Sequence, residues 1–241
     1  MRARTPLVLL FLALAASLSP LGAQVVPLEP LTLPNADWTI RLHRAEELLR
    51  GGKWRNGRAE AKALIEQMQL LPVQGEGLSE LLGRAVALRA IGTAGLGEKE
   101  DAAWDAASAR AIGFDWGALD LAAYGKAGEQ LRGALGSPAA DESEALRVGD
   151  GVSRPEIRKR TDFRYPTSLR AERINGTVIA EAIIDERGLL HHPKILNLDQ
   201  THPLLALAAL DALHEWRFEP AKQNGRPVPV HYVLTTSFKV E

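Results

Sequence analysis

A metal site in this 241-residue sequence would have to use histidine and carboxylate side chains, because the sequence contains six histidines and no cysteine. His191 and His192 are adjacent in a predicted strand, where neighbouring side chains point to opposite faces, so the two cannot hold one ion together. The sequence has no His-x-x-x-His pair and no nucleophile, phosphate-loop or dinucleotide motif. His202 is interpreted as a residue at a helix start. We therefore predict no catalytic residue, no metal site and no cofactor.

Acidic residues cluster at Glu46-Glu47 and from Glu98 to Asp101, within predicted helices. Solvated helix faces explain both clusters, because no second group of carboxylates is placed to form an acid–base pair. The formal net charge of -1 gives no electrostatic case for binding nucleic acid or an anionic membrane surface. These observations predict a protein that is not an enzyme and that acts by binding.

The first residues have the pattern of a secretory signal peptide. Arg2 and Arg4 precede the apolar run from Leu7 to Leu18, and small residues end the segment at Ala23. Such a run of about 12 residues is shorter than the roughly 20 that a spanning helix needs. We predict a signal peptide over residues 1–23 and an exported mature protein without a membrane span; a retained membrane anchor is the alternative. Without cysteine, an exported chain has to hold its core by burial alone.

Composition divides the rest of the chain into two predicted domains and two linkers. Residues 24–35 contain three prolines and are predicted to form a short extended linker. Residues 36–135 show the apolar spacing of helices. Residues 136–154 mix glycine, serine, proline and acids without a period, which is typical of a linker. Residues 155–241 then form the C-terminal domain.

The helical region repeats one arrangement. Tight turns at 52–54 and 97–99 each join two predicted helices, and Ala61 and Ala106 follow these turns at the same offset. This pattern resembles a tetratricopeptide-like repeat, and a third helix from Trp116 to Leu135 is predicted to cap the stack. Such a domain serves either as a stable spacer or as a groove for a second protein.

Strand signals dominate the C-terminal domain. The segment from Gly176 to Asp185 alternates between two faces, and a turn ending at Gly188 leads into a return strand. An apolar helix follows, and after it an Asn-Gly turn precedes the alternating strand from Val228 to Val240. With a short helix at the start, this order predicts a small α+β domain. The apolar face of the later helix is predicted to consist of Leu204, Leu205, Ala208, Ala209, Ala212 and Trp216.

The C-terminal domain resembles that of the TonB energy-transducer family. The resemblance rests on the order and spacing of a structural motif, namely Tyr165, Pro166, Gly176, Gly188, Trp216, Phe218, Pro220, Gly225 and Pro227. It implies a three-stranded antiparallel sheet with two helices, located in the periplasm. It also implies that the last strand binds a short peptide motif of an outer-membrane TonB-dependent transporter by strand addition.

The resemblance also implies which residues bind. The peptide-binding residues are expected in the last strand, at Val230, Tyr232, Val233, Leu234, Thr235 and Thr236. Asp162 and Phe163 are expected partner contacts, although the family often has a proline where Phe163 stands. An open strand edge would also permit a homodimer that exchanges strands.

Two functions are compatible with these features. The first is a part in TonB-dependent transmembrane transport, as transducer or accessory; a retained N-terminus would then contact the proton-driven motor complex of the inner membrane. Residues 1–23 contain no histidine of the kind used by the family for coupling, and the segment from Pro27 to Pro34 spans only about 25 Å at about 3.1 Å per residue. The second is an envelope scaffold or adaptor that links proteins through helical repeats without transmitting force.

Overall fold

Helices form the N-terminal region of the computed structural model, which describes residues 35–71, 77–136, 144–149 and 151–240, with side chains from Trp38 onward. The α-helices of this region are α1 (Asn35–Arg50), α2 (Trp54–Leu70), α3 (Leu78–Gly95), α4 (Lys99–Ala111) and α5 (Gly125–Gly136). The predicted signal peptide lies outside the described residues, as does nearly all of the proline-containing linker. Within the described residues, every helix is too short or too polar to cross a membrane.

Small residues let consecutive helices pack closely. A Cβ added to Gly57 of α2 would lie 2.5 Å from Leu49 Cγ of α1, and one added to Gly92 of α3 would lie 2.6 Å from Arg58 Cβ of α2. The helices therefore approach at distances that larger residues would prevent. The described helices are compatible with a tetratricopeptide-like repeat, and that assignment stays a prediction.

The predicted capping helix from Trp116 to Leu135 is wrong in its first half. Two short 3₁₀ turns, Trp116–Ala118 and Leu121–Tyr124, precede α5, which begins only at Gly125. Asp115 and Asp120 each accept a hydrogen bond from the backbone N–H two residues ahead, at 2.8 and 3.0 Å. Such bonds compete with helix formation, so the chain forms separate turns.

Glu46 corrects the expectation of a solvated acidic face on α1. The residue is only 6% exposed, and its carboxylate accepts hydrogen bonds from Arg50 and Arg84, both at 2.6 Å. Arg84 belongs to α3, so this ion pair joins α1 to a helix that is distant in sequence. The Glu98 to Asp101 run is exposed, as expected.

The C-terminal domain has the predicted α+β architecture. Its elements are β1 (Glu156–Lys159), α6 (Thr167–Ala171), β2 (Gly176–Ile184), β3 (Leu190–Ile195), α7 (Pro203–His214), β4 (Arg217–Glu219), β5 (Lys222–Gln223), β6 (Arg226–Pro227) and β7 (Val230–Phe238). The main sheet is antiparallel with strand order β3-β2-β7, which confirms the predicted three-stranded sheet with two helices. β1 pairs with β4, a second small sheet that the sequence did not indicate.

Helix α7 is buried on more sides than its predicted apolar face requires. Every residue from Leu204 to Leu210 is buried, including Ala206, Leu207 and Leu210, which lie outside the predicted face. The helix contacts both the sheet, at β2 and β3, and the helical region, at α3 and α4. Leu33–Glu241 form one compact unit, and one buried apolar cluster contains residues of α1 to α5 and of α7. The division into domains at residues 136–154 stays a prediction.

We predict that Leu207→Ala lowers the free energy of unfolding by about 2–5 kcal/mol, because it leaves a cavity in a fully buried site. Ile40→Ala, at a position 65% exposed, should change it by less than about 0.5 kcal/mol. Urea denaturation measures both values. A Leu207→Ala cost as small as that of the control would show that this side of α7 is not closely packed.

Candidate peptide-binding edge

β7 lies at the edge of the three-stranded sheet. It pairs along its whole length with β2, from Val230 opposite Ile184 to Phe238 opposite Gly176. On its other side, Leu146 is the one residue among those described that forms a bridge to it. The predicted last strand is therefore present, and most of one side of it lacks a partner within the described chain.

The hydrogen bonds of β2 show which backbone groups of β7 point outward. The Ile179 N–H donates to Asn197 Oδ1 (2.9 Å), and the Ile179 carbonyl accepts from the Leu196 N–H (2.8 Å), so odd-numbered residues of β2 turn their backbone toward β3. The even-numbered residues of β2 face β7 and pair with its even-numbered residues. The odd-numbered residues of β7 point away from the sheet, in agreement with the bond from the His231 N–H to Leu146 O (2.9 Å).

Val233, Thr235 and Ser237 thus direct N–H and C=O groups outward. No hydrogen bond joins these groups to another part of the chain that the structure describes. Their side chains are exposed, and Val233 is 51% exposed, although it is aliphatic and in the middle of a strand. Three successive outward positions with unpaired donors and acceptors give an extended peptide a place to pair.

The structure divides the six predicted peptide-binding residues into two groups. Val233 and Thr235 direct their backbone outward, and Ser237, which was not in the predicted set, does the same. The other four direct their backbone toward β2; they are Val230, Tyr232, Leu234 and Thr236. A strand pattern shows which residues alternate, but only a neighbouring hydrogen bond shows which set points outward. Peptide binding by any of these residues stays a prediction.

The opposite edge of the sheet is formed by β3, and the helical region packs against this strand. α4 packs against β3, and Trp104 of α4 lines a cavity of about 380 Å³ together with His191 and Lys194. His192 has a φ of 52°, where the pairing with β2 shifts register next to Pro193. Proline lacks a backbone N–H for the ladder, which is why it is found at such irregularities and at sheet edges. Of the two sheet edges, β7 is the one that the described helices leave uncovered.

An aromatic cluster holds the segment before α6 against the sheet. The Phe163 ring lies 5.7 Å from that of Trp216 and 6.1 Å from that of Phe238, and Trp216 Nε1 donates to the Thr161 carbonyl (2.9 Å). The Phe163 side chain therefore packs partly within the core. Asp162 is exposed, so its side chain is accessible to a partner. A role for either residue in partner contact stays a prediction.

The remaining motif residues have structural positions. Tyr165 donates a hydrogen bond to the Ile174 carbonyl, and Pro166 precedes α6. Phe218 is buried in β4, Pro220 follows that strand, and Pro227 is the last residue of β6. Gly188 is required by close approach, because at φ 79° a Cβ there would overlap the Phe218 carbonyl; a Cβ on Gly176 would lie 2.6 Å from the Cδ1 methyl of Leu205. Gly225, at φ 81°, follows Asn224 in the predicted turn.

Asp185 organises the turn between β2 and β3. Its Oδ1 accepts from the N–H groups of Arg187 (2.9 Å) and Leu189 (2.8 Å), and its Oδ2 lies 3.0 Å from both Arg187 Nε and His191 Nε2. Burial alone would raise the pKa of Asp185, but the bonds from Leu189, His191 and Arg187 outweigh it and lower that pKa.

Arg89 joins the helical region to the C-terminal domain. Its Nη2 lies 2.8 Å from Asp105 Oδ1 of α4 and 3.0 Å from Asp211 Oδ1 of α7. One guanidinium thus serves two carboxylates. Burial raises the pKa of Asp105 to about 6 from an ordinary 3.8; the charge of Arg89 opposes this rise and that of Asp211 adds to it. Sequence spacing gave no sign of this group, because its members come from three separate helices.

Comparison with known proteins finds matches for the C-terminal part of the chain. Residues 161–240 match the family model described as the Gram-negative bacterial TonB protein C-terminal. These residues form a TonB C-terminal domain. A stretch of 78 residues is 33% identical to the Protein TonB of Vibrio cholerae. That stretch is 32% of this chain and 32% of the relative, so the likeness concerns the C-terminal domain.

Two structural features next to the TonB C-terminal domain were not predicted from the sequence. Leu146 lies in the predicted linker, and β1 lies before residue 161, where the family match begins. Leu146 is followed at Val148 by another aliphatic residue, a short alternation within a mixed-composition segment. Such a pattern is too short to distinguish a strand bridge from a loop.

The raised pKa of Asp105 predicts a pH-dependent stability. Between about pH 4 and pH 6 the folded protein binds a proton that the unfolded chain does not, so this carboxyl contributes more stability as pH falls through that window. The difference in melting temperature, wild type minus Asp105→Asn, should therefore be larger at about pH 5 than at about pH 7.

Asp185→Asn is the matched control, because the pKa of Asp185 is lowered. The stability that Asp185 contributes is present above the ordinary carboxyl pKa. It is lost only as pH falls through the lower pKa that Asp185 has in the folded protein. The difference between wild type and this variant should stay level from about pH 7 to about pH 5. A level difference for Asp105→Asn as well would contradict the raised pKa.

Proposed function

We propose that the TonB C-terminal domain binds an extended peptide by adding it as a further strand at the outer edge of β7. The observation that carries this proposal is the set of outward N–H and C=O groups at Val233, Thr235 and Ser237. The peptide would exchange main-chain hydrogen bonds with these residues. Its side chains would alternate between the two faces of the enlarged sheet.

The family match and the TonB relative support a TonB-like part in transport across the outer membrane, in which the peptide belongs to a TonB-dependent transporter. This function places the protein in the periplasm and requires no enzymatic step. If residues 1–23 are retained as an anchor, the chain also contacts the proton-driven inner-membrane complex and acts as a transducer. If they are removed, it acts as an accessory that binds without pulling.

A second candidate function is an envelope scaffold or adaptor. The observation that favours it is the tight union of the helical region with the TonB C-terminal domain through α7 and Arg89. This union would give a protein bound to the helices a fixed orientation relative to the β7 edge. It requires no force along the chain.

Val233→Pro tests strand pairing. Proline removes the outward N–H at Val233 without removing a bond to β2, and its ring obstructs an incoming strand. We expect it to weaken binding about tenfold or more, given that an intramolecular hydrogen bond contributes about 1 kcal/mol and the ring adds a steric cost. Isothermal calorimetry measures this with synthetic peptides that copy the N-terminal segments of outer-membrane transporters encoded in the same genome.

Val233→Ala is the matched control, because it shortens the side chain and keeps the backbone donor. It should bind within about threefold of wild type. Melting curves must show that both variants are folded. Equal affinity of a folded Val233→Pro variant and wild type would rule out pairing at this edge.

The fate of the first residues separates a transducer from an accessory. Removal of the predicted signal peptide would leave a chain that begins near Gln24 in the soluble periplasmic fraction. Mass spectrometry of the purified protein and cell fractionation measure this. An intact N-terminus in the inner-membrane fraction would favour the transducer and contradict cleavage.

A further inference from the structure

The chain itself occupies the first position of the proposed binding edge. The Leu146 N–H donates to the Pro229 carbonyl, and the His231 N–H donates to the Leu146 carbonyl, both at 2.9 Å. Leu146 and Val230 form a parallel bridge. These are the bonds that one residue of an added strand would make, so Leu146 takes the place of a ligand residue at the start of β7.

The contact is short and ends abruptly. Val148 is already 37% exposed, and Gly149 and Gly151, at φ 127° and 89°, turn the chain away. Ser153 then exchanges hydrogen bonds with the backbone of Lys222, at 2.8 and 2.9 Å. The segment is thus fixed on one side at Ser153, while a single leucine bridge, half-buried against the core, holds it to β7.

We propose that residues 144–149 act as an internal competitor, which a partner peptide displaces to pair with the whole β7 edge. This inference rests on the proposed function and concerns its regulation. With Leu146 in place, a peptide reaches the outward N–H groups of Val233, Thr235 and Ser237. After displacement it also gains the Pro229 carbonyl and the His231 N–H, the two groups that Leu146 now uses.

The arrangement has a quantitative consequence. If the full edge is free in only a fraction of molecules, the apparent dissociation constant rises by the reciprocal of that fraction. Opening the segment permanently should therefore tighten binding, and closing it permanently should weaken it. A segment that merely marks the end of the site would have neither effect.

Amide hydrogen exchange tests the displacement without any peptide. The His231 N–H is bonded to Leu146, whereas the Tyr232 N–H points toward β2. We expect the His231 amide to exchange through local opening, at least about tenfold faster than that of Tyr232 after correction for intrinsic rates. Equal protection of the two amides would show that the segment opens only with the whole domain and would overturn the proposal.

A disulfide lock provides the binding test, because the chain has no cysteine of its own. In the double variant Leu146→Cys, Val230→Cys, oxidation joins the bridge partners and reduction releases them. With the transporter-derived peptides described above, we expect the oxidised form to bind at least about tenfold more weakly than the same protein after reduction. Equal affinity in the two forms would contradict competition.

Leu146→Pro opens the segment by removing its donor, and Val148→Pro places the same residue where no bridge to β7 is formed. We expect Leu146→Pro to bind the peptides about threefold or more tightly than wild type, and Val148→Pro to bind like wild type. If wild type and the reduced double variant bind none of the peptides, the proposed function fails. The exchange measurement still decides whether the segment is displaceable.

Discussion

The burial of α7 is the constraint on which the rest of the structure depends. The helix is apolar around nearly its whole circumference, so one sheet cannot cover it, and a second layer has to cover the remaining sides. The helical region supplies that layer. Because the hydrophobic effect acts on the whole apolar surface, the TonB C-terminal domain and the preceding helices share one core.

This shared core also determines the asymmetry of the sheet. With α3 and α4 against α7, α4 also packs against β3. The β7 edge is on the other side of the sheet and stays uncovered by the described helices. The unpaired backbone groups of the sheet therefore lie along the β7 edge. The helices thus influence the candidate site without contributing a residue to it.

Electrostatics reinforces the same union. Arg89 lies between a carboxylate of the helical region and one of α7, and removal of one partner from such a buried group leaves an uncompensated charge. The arrangement specifies how the two regions fit together more than it adds stability. Glu46 has a similar role between α1 and α3. Both groups make the relative placement of the elements specific where apolar packing alone tolerates small shifts.

The sequence by itself determined the three main strands and two helices of the C-terminal domain and its resemblance to the TonB family. Glycines with positive φ, prolines and alternating residues are local signals, since each depends on the backbone of its own segment. The almost entirely apolar composition of α7 also indicates burial on all sides, although the spacing of its apolar residues predicted only one buried face. The boundary of the capping helix before Gly125 was wrong because aspartate side chains bonded to the local backbone.

Only the tertiary structure decided which residues of β7 face outward, because that depends on the register with β2, and which edge is open, because that depends on where α4 lies. It also placed Leu146 opposite Val230 and brought Arg89 to Asp211. These contacts join residues far apart in the chain, and their free energies arise only when the intervening segments fold around a common core. A local sequence pattern predicts that a strand forms, whereas the tertiary structure determines which segments pair with that strand on either side.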